Sequence, residues 1–154
     1  DYTFLIYAWN YVGLRPDIKL VAISDNTEVQ KNILAIMQYA ADYHEVNGDY
    51  NAKWNLMDGL HYEKWKEVKE KYVQDVKAEC DYRLEQLAHS TNQREAIFRD
   101  MIAKAEDEKI IRMRTSQLEK LLVDFERQKR GMDETVSRAE IKTNLLVKGI
   151  LHVE

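Results

Sequence analysis

From Asn51 the sequence runs for about 80 residues without a convincing helix stop, and its only proline, Pro16, lies well upstream. A single rod of that length would span roughly 120 Å at about 1.5 Å per residue, and nothing in a chain of 154 residues would support it. The stretch is therefore expected to turn back on itself. His89-Ser90-Thr91-Asn92 is a run of weak helix formers, which puts the turn near Ser90–Asn92 and makes two arms of about equal length. His61, Trp65, Val68, Tyr72, Val76 and Cys80 line one face of the first arm. Ile97, Met101, Ile111, Leu118, Leu122 and Phe125 recur at three- and four-residue steps in the second. Such seams predict an antiparallel, coiled-coil-like helical hairpin. Gly131, following Lys129-Arg130, is the expected end of the second arm.

The flanks read differently. Thr3 to Val12 is rich in β-branched and aromatic residues, with Leu5, Tyr7, Trp9 and Tyr11 on one face and Phe4, Ile6, Ala8 and Val12 on the other. A strand apolar on both faces is normally covered on both. Gly13-Leu14-Arg15-Pro16-Asp17 has turn chemistry, and Ile18 to Ile23 reads as the second strand of a hairpin. Asp25 with Glu28 resembles a capping box, and Val29, Ile33, Ile36, Met37 and Ala40 carry a helix to about His44, before the break at Asn47-Gly48-Asp49. Leu145, Val147, Leu151 and Val153 alternate around Gly149 as a third strand returning to the first two. The expected fold is α+β and mostly α: a long antiparallel helical hairpin projecting from a small three-stranded antiparallel sheet with one covering helix. It is read as one domain over 1–154, divided into 1–50 (β-hairpin plus helix), 51–131 (helical hairpin) and 132–154 (return segment and final strand). The abrupt start inside a strand suggests a piece of a longer protein, with a processed terminus as the alternative.

The chemistry of the chain excludes more than it offers. The formal net charge of -4 gives no global attraction for nucleic acid, so any basic surface must be local. One cysteine, Cys80, rules out an internal disulfide and fits a reducing cytoplasm. No apolar run approaches the ~20 residues of a membrane span, and the first residues show no basic stretch followed by an apolar one. The glycines are isolated, so there is no phosphate loop. No glutamate has a histidine three positions later, which removes the di-metal bundle signature. His44, His61, His89 and His152 sit on different elements. Cys80 lies on the apolar seam without an adjacent base, so it reads as core. Glu63, Glu67 and Glu70, interleaved with lysines, read as a solvated helix face. No catalytic residue, metal ligand or cofactor site is expected.

One pattern is more informative. Lys109, Arg112, Ser116, Lys120, Val123, Arg127 and Arg130 are spaced by three or four residues, which gathers five cations into a stripe opposite the seam of Ile111, Leu118, Leu122 and Phe125. A basic stripe facing solvent can track a phosphate backbone. The plainer reading is a soluble face whose cations pair with Asp107, Asp124 and Glu126. Tyr7, Trp9 and Tyr11 form an aromatic strand face able to stack bases, to serve as core or to dock another domain. Tyr39, Tyr43, Tyr50 and Trp54 gather around the Asn47-Gly48-Asp49 break, where they are expected to staple the covering helix to the root of the first arm.

Three segments carry a resemblance: Lys109-Ile110-Ile111-Arg112-Met113-Arg114-Thr115-Ser116-Gln117-Leu118, Arg138-Ala139-Glu140-Ile141 with Gly149-Ile150-Leu151-His152-Val153, and Trp9-Asn10-Tyr11-Val12-Gly13-Leu14-Arg15-Pro16-Asp17. Together they resemble the C-terminal region of bacterial Swi/Snf-family (superfamily-two) DNA helicases. There a Lys-Ile-x-Arg-Met-Arg-x-x-Gln helix precedes a Gly-Val-Leu strand, and a Trp-x-x-x-Gly-x-x-Pro turn lies in the same region. Glu140 stands where aspartate is expected and Ile150 where valine is usual, and His89–Asn92 has no counterpart. The resemblance implies a parent protein whose motor domains use ATP and Mg to move along DNA. This chain would be its non-catalytic C-terminal accessory domain, contacting DNA, the motor domains or a protein partner. A self-associating or partner-binding coiled-coil scaffold without nucleic acid is the alternative from the residues alone.

Overall fold

A computed structural model describes residues 1–153. In chain order it contains strand β1 (Tyr2–Val12), strand β2 (Asp17–Ser24), helix α1 (Thr27–Gln38), helix α2 (Asn51–Lys104), helix α3 (Glu108–Arg138) and strand β3 (Glu140–Leu151). The protein is thus α+β, with three helices, one of them long, and a three-stranded antiparallel sheet of order β2-β1-β3. The chain forms two compact units. One comprises residues 1–72 with the chain from Glu140 onward, and the other is Val73–Ala139.

In the first unit β1 is the central strand, and both of its faces are covered, as its sequence requires. Leu5, Tyr7 and Trp9 join Ile23, Ile141 and Met57 of α2 in one core, with Trp54, Trp65, Val68 and Tyr72 packed around it. Phe4, Ile6 and Ala22 meet Val29 and Ile33 of α1 in the other. Two indoles fasten α2 to the returning strand: Trp54 Nε1 donates to the Gly149 carbonyl at 3.4 Å and Trp65 Nε1 to the Ile141 carbonyl at 2.8 Å. The returning strand starts earlier than Leu145, at Glu140 opposite Val12. A bulge between Ile6 and Tyr7 leaves Leu146 unpaired, so Leu145 and Val147 pair with adjacent residues and face opposite sides. Val153 lies beyond the strand.

The covering helix is capped one residue later than expected. Asn26, rather than Asp25, accepts from Val29 N at 3.1 Å, and Glu28 sits in the first turn, where a negative charge suits the helix dipole. The helix stops at Gln38 instead of reaching His44, because after Val29 and Ile33 no further residue of this face is buried. Tyr39 and Tyr43 are exposed, so only Tyr50 and Trp54, with ring centroids 5.9 Å apart, form the expected aromatic contact.

The expected turn at Ser90–Asn92 does not exist: α2 is continuous through it, and the break falls at Ala105–Asp107. Weak helix formers cost only a few tenths of a kcal/mol each, whereas Thr91 is 5% exposed and continues a buried face. The new helix begins where the Asp107 carboxylate caps Lys109 N at 2.9 Å. Gly131 likewise fails to end α3, which runs on to Arg138. A mid-helix glycine costs about 1 kcal/mol, too little to stop a helix whose inner face continues at Met132 and Val136. A methyl group at Gly131 would meet nothing within 4 Å. Gly131→Ala is therefore expected to stabilise the protein by about 0.5–1 kcal/mol, read as a rise in thermal midpoint. An unchanged or lower midpoint would contradict this account of α3.

Candidate nucleic-acid interface

The five stripe cations Lys109, Arg112, Lys120, Arg127 and Arg130 all lie on α3 and are all exposed, while Leu118 and Leu121 on its other side are buried. The inner face differs in detail from the expected seam. Leu121 is buried, Leu122, Phe125 and Ile111 are half-buried, and Ile97 and Met101 on α2 are exposed. Two stripe members hold local acids: Arg112 reaches Glu108 at 3.6 Å and Arg127 reaches Asp124 at 2.6 Å. Both are exposed pairs on one helix, of the sort that water and salt loosen readily. Asp107 is occupied as the helix cap. Among the described residues, Lys109, Lys120 and Arg130 have no side-chain partner.

Beside the stripe, residues of α2 and α3 line one cavity of about 350 Å³. Arg94 and Phe98 come from α2, and Lys120, Asp124, Phe125 and Gln128 from α3. Arg94, like Lys120, has no ion-pair or hydrogen-bond partner among the described residues. Sequence reasoning missed Arg94, because its place on α2 follows from the helix break at Ala105–Asp107, and a break at Ser90–Asn92 would have put it in the following helix.

Elsewhere the polar groups serve packing. The Tyr7 ring stacks on His61 at 3.4 Å between centroids, and its hydroxyl donates to Asp58 at 2.5 Å. Burial, reinforced by that carboxylate, pushes the phenol well above its ordinary range. Trp9 Nε1 donates to His61 Nε2 at 2.9 Å. Tyr7 and Trp9 are almost fully enclosed, which removes them as a base-stacking surface. Cys80 is buried in the second unit, and that burial raises its thiol above the usual range, a state unsuited to nucleophilic attack. His44 lies against Asp42, two residues away, and His152 against Asp1 at the other end of the chain. No group of three or more His, Cys, Asp or Glu among the described residues could hold a metal.

Comparison with family models, curated proteins and solved structures gave no match. The functional reading therefore rests on the residues and their placement. No helix among the described residues is long and apolar enough to cross a membrane.

Proposed function

We propose that this chain is the non-catalytic C-terminal accessory domain of an ATP-dependent DNA helicase or translocase of the Swi/Snf type, working in the cytoplasm. In this reading α2 beyond Tyr72 and α3 pair as an antiparallel, coiled-coil-like hairpin, and Lys109, Arg112, Lys120, Arg127 and Arg130 contact DNA phosphates. ATP and Mg belong to the motor domains of the parent, and this chain's residues hold neither. The observation that carries the reading is the segregation along α3: the cations are exposed while Leu118 and Leu121 are buried.

Three features support the pairing of the helices. Ile111, Arg114, Leu118, Leu121, Phe125, Gln128, Met132 and Thr135 alternate three- and four-residue steps, the period of a coiled-coil seam. Leu87, Thr91, Arg94 and Phe98 of α2 line the same cavity as Gln117 to Gln128 of α3. Val76, Cys80 and Thr91 of α2 and Leu118 and Leu121 of α3 are all buried. Two segments of the family resemblance also meet in the sheet, where Tyr11 pairs with Ile141 and Val12 with Glu140.

The test is fluorescence anisotropy of the chain with a labelled 20-base-pair duplex across a salt series. Five phosphate contacts give a log–log salt slope of about -4 to -5, hence a loss of several hundredfold between roughly 50 and 200 mM salt. Arg112→Glu, Arg127→Glu and Arg130→Glu together are expected to abolish binding at the upper end. Salt-insensitive binding, or binding indifferent to the three reversals, would sink the stripe. A second reading, a scaffold for a protein partner or another copy, is favoured by one patch: Ile97, Met101, Ile110 and Met113 are each 41–55% exposed near the Ala105–Asp107 turn. Concentration-dependent dimerisation of the same samples by sedimentation, with no duplex binding, would put that reading first.

A further inference from the structure

The cavity in the second unit combines features that the stripe lacks. Arg94 and Lys120 approach it from different helices, and both are free of partners among the described residues. The carboxylate in its wall, Asp124, pairs with Arg127 at 2.6 Å and with neither Arg94 nor Lys120. Phe98 and Phe125 supply half-buried aromatic surface, and the Gln128 amide adds a donor and an acceptor. At about 350 Å³ the cavity falls at the small end of ligand sites, which run from about 300 to 1,000 Å³.

A duplex keeps its bases stacked inside and offers a cavity of this size only phosphates. A single strand can turn a base outward onto an aromatic ring while a cation holds the adjoining phosphate. Cations beside aromatic rings in a concave site are the recurrent arrangement for single strands. We propose that the α2–α3 cavity seats one unstacked nucleotide of a single DNA strand, its base against Phe98 and Phe125 and its phosphate between Arg94 and Lys120. The inference rests on the reading of this chain as a DNA-contacting module. It differs from the stripe in naming the strand form bound and in giving α2 a part in it.

The experiment compares two probes on the full chain: a 12-nucleotide oligothymidylate with one central 2-aminopurine, and the 20-base-pair duplex. Arg94→Glu changes an exposed helix residue, and Phe98→Leu keeps apolar packing while removing the ring. Each is expected to weaken single-strand binding by about tenfold, with less than twofold change on the duplex, and Phe98→Leu to relieve quenching of the 2-aminopurine. Equal losses on both probes, or none, overturn the cavity site. Duplex binding that still responds to Arg112→Glu, Arg127→Glu and Arg130→Glu would then leave the accessory-module reading standing. Single-strand binding that depends on Arg94 without any duplex binding supports the cavity and overturns the stripe. Binding to neither probe at low salt overturns both and leaves the exposed Ile97–Met113 patch as a protein surface.

Discussion

Gly149→Ala is expected to destabilise the protein by about 3 kcal/mol, toward the upper end of what overpacking a core costs. A Cβ at this position would lie 2.2 Å from Phe4 Cζ and 2.7 Å from both Cε atoms. Gly149 pairs directly with Phe4 across the sheet, so the ring lies over the glycine backbone. The ring has little room to withdraw: Phe4 is buried with Ile6, Ala22, Val29 and Ile33, and Val147 and Leu151 close the same cluster. Displacing it would disturb both the central strand and the seat of α1. The entropy that alanine removes from the unfolded chain offsets only about 0.4–1 kcal/mol of this. Urea unfolding should show a lower midpoint with an unchanged slope. Phe4→Leu combined with Gly149→Ala should cost less than the two changes summed, because the smaller side chain relieves the clash. A loss below about 1 kcal/mol for Gly149→Ala would mean that the ring moves freely and that this core is looser than its burial indicates.

That contact shows what the sequence disclosed and what it withheld. Alternating apolar residues on β1 announced two covered faces, and the order of segments returned the final strand to the N-terminal hairpin, while its pairing with β1 is seen only in the structure. Both follow from burial patterns written over many residues. The Gly149–Phe4 contact depends on register across residues far apart in the chain, and the bulge at Leu146 shifts that register by one. A hydrophobic pattern with apolar residues on both strand faces cannot reveal such a slip. The break at Ala105–Asp107 was hidden for a different reason. It uses neither glycine nor proline, only an aspartate cap, and differences in helix propensity among the other residues are smaller than the gain from continuing a buried face. The same balance let α3 pass Gly131. The position of the helix break bears directly on the candidate site. The stripe lies within one helix and was legible from spacing alone, whereas the cavity is lined from both α2 and α3 and depends on where the first of them ends.

His61 gives the second large effect, and it couples stability to pH. The side chain is 3% exposed. Trp9 Nε1 can only donate, so the bond to His61 Nε2 requires that nitrogen to be the acceptor and the imidazole to be neutral, with its proton on Nδ1. Thr143 Oγ1, 3.3 Å from the same nitrogen, can share in donating to it. Burial lowers the His61 pKa; the nearby Asp58 carboxylate opposes that shift and Lys64 adds to it. A histidine whose folded pKa is lowered takes up a proton more readily in the unfolded chain. Its contribution is therefore complete above the unfolded value of about 6.5 and is lost as pH falls below it. His61→Leu leaves the Trp9 N–H buried without its acceptor and removes the stack on Tyr7. The expected cost is about 2–4 kcal/mol near pH 7.5, from an unsatisfied donor at ~1–3 and the ring pair at ~0.5–1.5. His61→Gln offers a carbonyl to the indole without an ionisable ring, and should recover part of that loss. Urea midpoints measured at pH 7.5 and 5.5 separate the two effects. The unaltered protein should lose more stability on acidification than either variant, since other titrating groups are common to all three. An equal fall in all three would show that His61 accepts a proton inside the fold. Trp9 would then have to release its bond and donate elsewhere, and the arrangement of β1 against α2 would be one of several the core can hold.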